Sequence, residues 1–592
     1  MYAQFKGTGK ERRAYIAKSY RLKRGDKTST VIIESLGTLS EIRAAHGCDD
    51  PESWVRDRAR ELTAKEKEGT GCVTVTLDPS LPIPRGHQRK VMGGMLPLLP
   101  LYHGWLGLGE ACRSIRERRR FDYDLSAVLS TLVYGRILAP DSKLATAAKA
   151  RSFAVSPRFS MDNVYNALSV LSEECTFLQR SIYESTCLRG GRRTDVVYYD
   201  CTNYYFEIEK EDPELVTADG KPSLGLRKYG HSKEHRPNPI VQLGMFMDAD
   251  GMPLAFCVNP GNTPETQTIV PLEEALANEF GLSTFVCCTD GGLGSQEVRS
   301  YNTTEGREYI TVQSLKDRKV APEVQQWALS DAGWTVPGHE GEHTVEEAGR
   351  LLGDGFRDAV IYKDKWFKVG ASAREEHFVV TYSEKYAEYQ RRTRDEQVAR
   401  ARKRIGSGKS LRRSSPNDCA RFIAETRATR DGEVAELASF TIDQAKIDSE
   451  ARFDGFYALA TSLDNAPEAI LRANHYRYEI EAIFRVTKTD LELRPIFLQR
   501  RDRIVGHFIV CFIALLMVKR LQKSLGGAYS VERILECLRQ WDYTLLEAHG
   551  YLPSFDRTEL TDRIKGICRQ PLDSQIITKP MMRRIIRELS AQ

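Results

Sequence analysis

Residues 195–290 carry the clearest order in this sequence, and that order restricts the fold more than any other feature. Val196–Ile208 is a strongly β-forming run. Two further apolar runs, Ile240–Met247 and Met252–Val258, are joined by Asp248–Gly251, a typical hairpin turn signal. The elements predicted after them are a helix at Thr263–Phe280 that ends at Gly281, a strand at Thr284–Cys288 and a strand at Glu308–Gln313. The order strand, strand, strand, helix, strand, strand predicts an α/β domain.

Two acidic residues occupy special places in this order. Asp200 lies in the middle of the first predicted strand, and Asp290 opens the Asp290-Gly291-Gly292 sequence at the end of the fourth. Taken singly, each is more often a turn residue or a satisfied polar group than a functional acid. Together they place two carboxylates on strands of one predicted sheet.

A third acidic residue lies in Asn474–Lys488, which we predict as a helix. At about 100° per residue, Asn474, Arg477, Glu481, Arg485 and Lys488 fall within one narrow arc. The apolar side beside that arc is formed by Ala473, Tyr476, Ile480, Ile483, Phe484 and Leu491. On the helix alone, a solvated charged face with ion pairs four residues apart is the competing interpretation.

Asp200, Asp290 and Glu481 together suggest a site for two Mg²⁺ ions, because this ion takes few protein carboxylates and keeps positions open for water and phosphate oxygens. Two such ions can stabilise both the attacking and the leaving oxygen in phosphodiester displacement. The cations at positions 477, 485 and 488 would hold the phosphate backbone.

Other residues near these acids are alternatives for the site. They are the acids Glu207, Glu209 and Glu265, and the basic or imidazole groups His231, Lys233, His235 and Arg236. Glu207 and Glu209 differ from Asp200 in strand parity and fit a shared site less well. For the basic group we favour phosphate contact or sheet-edge packing over metal ligation, since Mg²⁺ prefers oxygen.

Composition limits the class of protein without choosing the function. The 592 residues, 41% apolar and 28% charged, are typical of a soluble protein of two to four domains. The net charge of +5 neither requires nor excludes a nucleic-acid partner. The 13 cysteines are scattered without a C-x-x-C motif, which argues against a zinc module or disulfide framework and for a reducing cytosol. Because no apolar run follows the charges near Met1, we expect no signal peptide. Ile504–Val518 is shorter than the ~20 residues of a spanning helix, so we predict a buried core helix there.

The remaining segments are predicted from their periodicity. Strands are expected at Met1–Lys6, Ala14–Leu22, Thr28–Leu36 and Cys72–Leu77, in a module with a basic surface. Helices are expected at Leu96–Leu108, Leu125–Leu138 and Val164–Leu178, with start signals at Ser142 and Ser160. Residues 320–455 are expected to form an insertion with β-prone pieces at Ala359–Val369 and His377–Tyr382 and a very basic helix at Arg391–Arg413. That helix, like the basic run Arg113–Arg120, either contacts phosphate or is a solvated face. Amphipathic helices are expected over residues 502–592.

With these motifs in place, the sequence resembles the DDE transposases of bacterial insertion sequences, in the branch of insertion-sequence family four and its close relatives. That branch is marked by a Tyr-x2-Arg-x3-Glu-x6-Lys signature. Arg477, Glu481 and Lys488 match the spacing, while Asn474 occupies the tyrosine position. The other matching segments are YYDCTNYYFE around Asp200, CCTDGG around Asp290, Tyr229–Lys233 with His235–Pro237, Leu491 to Arg494-Pro495, Gly506-His507 and the opening MYAQFKGTG.

The resemblance implies an α/β fold with an RNase H-like catalytic core, a large mixed insertion, a preceding small β module and a helical domain. The domains expected on this basis are a β-rich module with DNA contact at 1–80, a helical domain that binds DNA ends at 90–190, the first part of the core at 191–320, the insertion with its basic helix at 321–460, the last part of the core with the catalytic helix at 461–525 and C-terminal dimerisation helices at 526–592.

The activity implied is metal-dependent cleavage and strand transfer of DNA at the terminal inverted repeats of the element. The resemblance assigns catalysis and metal binding to Asp200, Asp290 and Glu481, and contact with phosphate to Arg477, Arg485, Lys488, Lys233 and Arg236. The cofactor would be two Mg²⁺ ions, for which Mn²⁺ can substitute. The partners would be the element's ends, target DNA and a second copy in a homodimer, in the bacterial cytoplasm at the nucleoid and without a membrane.

Two alternatives remain open from the sequence. One is an RNase H-like nuclease unconnected with transposition, and the other is an inactive DNA-binding relative of transposases, although the presence of all three acids counts against the latter.

Some relatives stack a flipped base on an aromatic residue of the insertion, a role for which Trp366 is a candidate, but we expect Trp366 to be a core residue.

Overall fold

The computed structural model describes residues 1–9, 12–21, 28–69, 73–75, 78–216, 222–223, 225–369, 374–407, 413, 417–428, 437–494 and 496–592. Its strands are β1 (Tyr2–Lys6), β2 (Arg13–Arg21), β3 (Thr28–Thr38), β4 (Lys90–Met92), β5 (Val196–Tyr205), β6 (Leu215–Val216), β7 (Pro222–Ser223), β8 (Ile240–Asp248), β9 (Pro253–Pro260), β10 (Val286–Thr289), β11 (Glu308–Gln313), β12 (Trp334–Thr335), β13 (Glu342–His343), β14 (Ile361–Val369), β15 (Arg374–Tyr382), β16 (Ile423–Ala428), β17 (Leu437–Ile442), β18 (Phe456–Thr461), β19 (Asp542–Leu546), β20 (Gly550–Pro553) and β21 (Ile577–Thr578).

The α-helices are α1 (Leu39–His46), α2 (Pro51–Gly69), α3 (Leu108–Arg118), α4 (Leu125–Leu138), α5 (Lys143–Lys149), α6 (Met161–Glu173), α7 (Cys175–Gly190), α8 (Thr266–Phe280), α9 (Gln296–Tyr301), α10 (Pro322–Ala328), α11 (Val345–Leu352), α12 (Glu384–Gly406), α13 (Gln444–Ala451), α14 (Pro467–His475), α15 (Tyr478–Thr489), α16 (Arg501–Ser524), α17 (Val531–Gln540), α18 (Glu559–Cys568) and α19 (Lys579–Ala591). The chain divides into two compact units. The first comprises Met1–Arg89, Thr544–Pro553 and Ser574–Met582, and the second comprises Lys90–Tyr543, Ser554–Asp573 and Arg583–Gln592.

The first unit is built on the antiparallel sheet β1-β2-β3. These strands confirm three of the four predicted near the N-terminus, and the fourth, Cys72–Leu77, lies partly outside the described residues. The sequence interpretation missed α1 and α2. A capping box between Thr38 and Glu41 starts α1, a signal that was legible in the sequence.

Helices dominate the beginning of the second unit. The predicted helix over Leu125–Leu138 is confirmed as α4, and Ser142 and Ser160 cap α5 and α6 as expected. The predicted helix Leu96–Leu108 was wrong: a short 3₁₀ turn at Leu96–Leu98 and a π-helical turn at Pro100–Trp105 occupy most of it. Two prolines there remove backbone donors, which prevents a regular helix from continuing.

A mixed sheet of ten strands forms the centre of this unit, in the order β13-β12-β14-β15-β18-β11-β10-β5-β8-β9. Strand β8 runs antiparallel to both β5 and β9, and its pairing with β9 forms the predicted hairpin. Strands β10 and β11 return parallel to β5, on its other side. The helix predicted before β10 is α8, which ends at Gly281 in a left-handed conformation. The predicted order of elements over residues 195–313 is therefore confirmed, and the molecule is a mixed α/β protein.

The segment predicted as an insertion extends this sheet. Strands β14 and β15 confirm the two β-prone pieces, and β15 pairs with β18, which in turn pairs with β11. The basic helix begins earlier than predicted, at Glu384, and ends at Gly406. Residues 408–412 and 414–416 of the predicted basic segment and its end lie outside the described residues.

Helix α16 is the buried core helix predicted at Ile504–Val518. It is long and apolar enough to cross a membrane, but 83% of its apolar window is buried inside the protein, as in the core helix of a soluble domain. Helices α4 and α6 pack against it. At the contact with α6, a Cβ on Gly506 would lie 2.2 Å from the Leu168 carbonyl oxygen, so only glycine allows this approach.

Candidate active site

Asp200 and Asp290 are brought together by the pairing of two parallel strands. Tyr198 on β5 is the register partner of Cys288 on β10, and each aspartate lies two residues further along its strand direction. Side chains two residues apart point to the same face, and neighbouring strands are about 4.8 Å apart. The two carboxylates therefore occupy adjacent positions on one face of the sheet.

The surroundings of Asp200 disfavour its charge. Burial is the main reason that the pKa of Asp200 is raised to about 6, and the carboxylates of Asp290 and Glu265 contribute to the rise. The ammonium of Lys233 and the Cys201 N–H, which donates to Oδ1 at 2.7 Å, oppose this effect. The charged form of Asp200 would therefore gain from a cation placed between it and Asp290.

Asp290 is held by the loop that follows β10. Its Oδ1 accepts hydrogen bonds from the backbone N–H groups of Gly292 at 3.0 Å and Leu293 at 3.2 Å. The Thr311 hydroxyl donates to the Asp290 backbone carbonyl at 3.2 Å. The turn thus serves a structural purpose, and it also fixes the carboxylate at the C-terminal end of β10.

Lys233 and Glu265 form an ion pair beside Asp200. The Lys233 Nζ donates to Glu265 Oε1 at 2.8 Å and to the Cys201 carbonyl at 2.6 Å. Burial works against the ammonium, but Glu265 and Asp200 raise the pKa of Lys233 overall. Of the alternative acids, Glu265 is the one the structure brings to Asp200, whereas Glu207 and Glu209 are exposed beyond the end of β5.

The single helix predicted over Asn474–Lys488 was wrong, because the segment forms two helices. Helix α14 ends at His475, and α15 begins at Tyr478. In a continuous helix the Ala473 carbonyl would accept from the Arg477 N–H. Instead it accepts from the buried Tyr198 hydroxyl at 2.8 Å, and the Arg477 N–H donates to Asn474 at 3.1 Å. A side chain of β5 therefore replaces the helical hydrogen bond at the break.

Both helices cover the sheet face that carries the two aspartates. Tyr204 has the same strand parity as Asp200, and its hydroxyl lies 2.7 Å from the Thr487 hydroxyl of α15. Buried side chains of α15, among them Ile480 and Ile483, complete the contact. The predicted apolar side of this segment is thus confirmed as its packing side.

Arg477 connects Glu481 with Asp290. Its Nη1 lies 3.4 Å from Glu481 Oε1, and its side chain is 21% exposed against 63% for Glu481. Burial opposes the charge of Arg477, yet its neighbours raise the pKa of the guanidinium. In order of effect they are Tyr457, Cys288, Asp290 and Glu481. Arg477 therefore lies within electrostatic reach of both carboxylates.

The three predicted acids are not assembled to the same degree. Glu481 and Arg485 line a cleft of about 940 Å³ that extends to the start of α17. Within the part of the chain that the structure describes, no three His, Cys, Asp or Glu side chains are grouped so that they could hold a metal ion. The structure brings together Asp200 and Asp290, whereas Glu481 contacts Arg477 and is not grouped with the two aspartates among the described residues.

The predicted phosphate-binding cations differ in their surroundings. Lys488 donates to Glu234 at 3.1 Å, and Arg494 pairs with the same carboxylate. Arg236 and Arg494 each lie 5.2 Å from the centre of the Tyr205 ring. Arg485 is exposed on α15.

Sequence reasoning missed Glu234 and Tyr205, although both lie next to residues it selected. Glu234 interrupts the Tyr229–Lys233 and His235–Pro237 block, and a lone acid within a basic block was an available signal.

Asn474 at the signature tyrosine position donates to the Tyr457 hydroxyl at 3.1 Å. Tyr457 thereby becomes part of the site region.

Trp366 is not the core residue that we expected. It is 38% exposed and stacks on His377, with ring centroids 4.9 Å apart and an interplanar angle of 11°. His377 is buried and bonds to Asp364 at 2.9 Å. The indole therefore covers a buried histidine and presents its other face to solvent.

The solved structures to which this chain is similar include two transposases. The piggyBac transposase synaptic complex with hairpin DNA is 11% identical, with a TM-score of 0.34 over 85% of this chain and 88% of that chain. The Mos1 transposase paired-end complex with left transposon end is 14% identical, with a TM-score of 0.13 over 45% of this chain and 70% of that chain. No family model matches, and no curated protein matches. TM-scores below 0.5 do not establish a shared fold, so the interpretation of the site rests on its residues.

Proposed function

We propose that this chain is a DDE-type transposase that cleaves and joins DNA at the inverted-repeat ends of its own element. The observation that carries the proposal is the pair Asp200 and Asp290, one on β5 and the other directly after the parallel strand β10, on the sheet face covered by the helix that bears Glu481. In this proposal the protein acts as a homodimer on its DNA, in the bacterial cytoplasm.

The strand order supports an RNase H-like core. Strands β9, β8, β5, β10 and β11 are adjacent in that order, with β8 antiparallel to β5 and β9, and with β10 and β11 parallel to β5. Asp200 lies on the central strand of these five, and Asp290 follows the next one. This is the placement that an RNase H-like enzyme uses for its first two acids.

The chemistry of the aspartate pair fits a hard divalent ion such as Mg²⁺. Both groups are oxygen donors, and their mutual repulsion contributes to the raised pKa of Asp200, which a bound cation would relieve. When bound, the metal would activate the nucleophile and stabilise the leaving oxygen. Glu481 would complete the ligand set once its side chain turned from Arg477 towards the aspartates.

The basic residues around the pair would position the phosphate backbone. Arg477 lies between Asp290 and Glu481, where it could contact a phosphate on the helix side of the site. Lys233 could do so from the opposite side, beside Asp200. Arg485 and Arg236 are exposed, and Lys488 would have to exchange Glu234 for phosphate.

The test is cleavage of supercoiled DNA that carries the element's ends, with Mg²⁺, by the parent chain and by Asp200→Asn and Glu481→Gln. We expect each variant to lose cleavage by at least about a hundredfold, because each removes a charged oxygen needed to hold the metal. Binding to the ends in a gel-shift assay should be largely unchanged.

Glu207→Gln is the matched control, since Glu207 is exposed beyond the end of β5. Undiminished cutting by Asp200→Asn or Glu481→Gln would exclude the mechanism.

The DNA that flanks the gene distinguishes a transposase from an unrelated nuclease, because only a mobile element is bracketed by inverted repeats and target duplications.

A further inference from the structure

Helix α12 exposes two tyrosines near its beginning. Tyr386 is 38% exposed and Tyr389 is 54% exposed. Their rings are nearly parallel, with an interplanar angle of 14° and centroids 6.3 Å apart. Exposed aromatic faces of this kind are used to stack unpaired nucleic-acid bases.

Cations continue the same face of α12. At about 100° per residue, Tyr389, Arg392, Glu396, Arg400 and Lys403 lie within an arc of about 80°. All five are exposed. Arg392, Arg400 and Lys403 form no ion pair with a carboxylate that the structure describes, so this face carries an excess of positive charge.

The opposite side of α12 anchors the helix to the rest of its unit. Arg394 forms a double hydrogen bond with Asp454, both at 2.6 Å, and Val398 and Ala401 are buried in a cluster with Phe422. A helix held in this way can present its exposed face without local reordering. The tyrosines and cations are therefore already placed for a ligand.

The tyrosine pair and the candidate active site have one neighbour in common, Tyr457. Burial raises the pKa of Tyr386, and the Tyr457 hydroxyl contributes to the rise, which places the two side chains close together. Tyr457 accepts a hydrogen bond from Asn474 and lies within electrostatic reach of Arg477. Tyr457 thus interacts with Tyr386 on one side and with Asn474 and Arg477 of the candidate site on the other.

We propose that this face of α12 binds an unpaired DNA strand, with bases stacked on Tyr386 and Tyr389 and phosphates held by Arg392, Arg400 and Lys403. The inference rests on the proposed function, since it names the form of DNA, an unpaired strand, that the chain would bind as it leaves the candidate active site. Cations alone would suit duplex DNA equally well, whereas exposed aromatic rings favour unpaired bases.

The experiment measures binding by fluorescence anisotropy, with the full chain and EDTA in the buffer. The probes are a labelled oligothymidylate of about 20 nucleotides and a blunt duplex of the same length. We expect the double variant Tyr386→Ala/Tyr389→Ala to bind the oligothymidylate about tenfold or more weakly, because base stacking on each ring is lost. Its affinity for the duplex should change by less than about twofold.

The variant Tyr386→Phe/Tyr389→Phe keeps both rings and should bind as the parent chain does. Phe497→Ala, which removes an exposed aromatic ring outside this face, should have no effect. The triple variant Arg392→Gln/Arg400→Gln/Lys403→Gln should weaken binding to both probes and reduce the slope of affinity against salt by about 2. An unchanged affinity of the double alanine variant for the oligothymidylate, or an equal loss on both probes, would overturn the proposal.

The binding test does not depend on catalysis. Because it is made in EDTA, a failure of the proposed metal chemistry leaves its outcome intact. Asp200→Asn should bind the oligothymidylate as the parent chain does, even though we expect it to lose cleavage. A loss of cleavage together with normal strand binding would therefore separate the two proposals.

Discussion

The surroundings of Asp200 favour a bound cation that the chain itself does not provide. It is half-buried at the centre of a strand, with Asp290 beside it and with Lys233 as the cation that lowers its pKa. Lys233 is itself bonded to Glu265 and to a backbone carbonyl. The negative charge at this point of the sheet is thus only partly balanced by the protein.

This imbalance predicts how stability depends on pH when Mg²⁺ is absent. The pKa of Asp200 is about 6 in the folded protein against its ordinary value of 3.8, so its contribution to stability is present below about pH 4 and is lost as the pH rises through about 6. Asp200→Asn should therefore be more stable than the parent chain at pH 8, by up to about 3 kcal/mol, and should gain nothing at pH 4. Urea unfolding in EDTA at the two pH values measures this difference. Equal stability of the two proteins at pH 8 would show that burial does not disfavour the charged form of Asp200.

The break between α14 and α15 is decided at the scale of elements. The Asn474–Lys488 sequence has helical periodicity throughout, but the Tyr198 hydroxyl of β5 takes the carbonyl that a continuous helix would use. The break places Arg477 at the start of α15, where it contacts Glu481 and lies within electrostatic reach of Asp290. The contact between strand and helix therefore sets the geometry of the site.

Tyr198→Phe tests this contact. Removal of the hydroxyl leaves the Ala473 carbonyl without its donor, so we expect a loss of stability of about 1–3 kcal/mol and reduced cleavage by the folded protein. Tyr199→Phe is the matched control, since it removes a buried hydroxyl bonded to Thr268 on the opposite face of β5. It should lower stability to a similar extent, while cleavage per folded molecule stays unchanged. Equal cleavage by the two variants would contradict a role for Tyr198 in placing Arg477.

At the scale of the whole molecule, the segment expected as an insertion is part of the central sheet. Strand β15 pairs with β18 from His377 to Tyr382, and β14 pairs along the full length of β15. Helix α14 also rests on this region, through the hydrogen bond between Tyr362 and Glu468. The sheet face that carries Asp200 and Asp290 and the strands of this segment therefore share one sheet and one covering helix.

This continuity predicts that the segment cannot be removed as an independent domain. Gln313 is the register partner of Ala458, so a short Gly-Asn-Gly link in place of residues 314–455 could join β11 to β18 without stretching the chain. We nevertheless expect the shortened protein to aggregate or to unfold without cooperativity, because β18 loses β15, one of its two partners, and exposes a strand edge. Size-exclusion chromatography and thermal unfolding followed by circular dichroism measure this. A monodisperse protein with a cooperative transition would show that the segment is a separable insertion.

The sequence by itself determined the elements whose signals are local. The alternating and apolar runs of residues 195–313 specified β5, β8, β9, β10 and β11 in their order, and capping residues marked α5 and α6, because period and capping depend on neighbours along the chain. Tertiary structure decided what depends on distant groups. The alignment of Asp200 with Asp290 follows from strand pairing, and the helix break follows from a hydroxyl that lies far away in the sequence. The pairing of Lys488 with Glu234 and the exposure of Trp366 are likewise set by long-range packing, which the periodicity of a single segment does not contain.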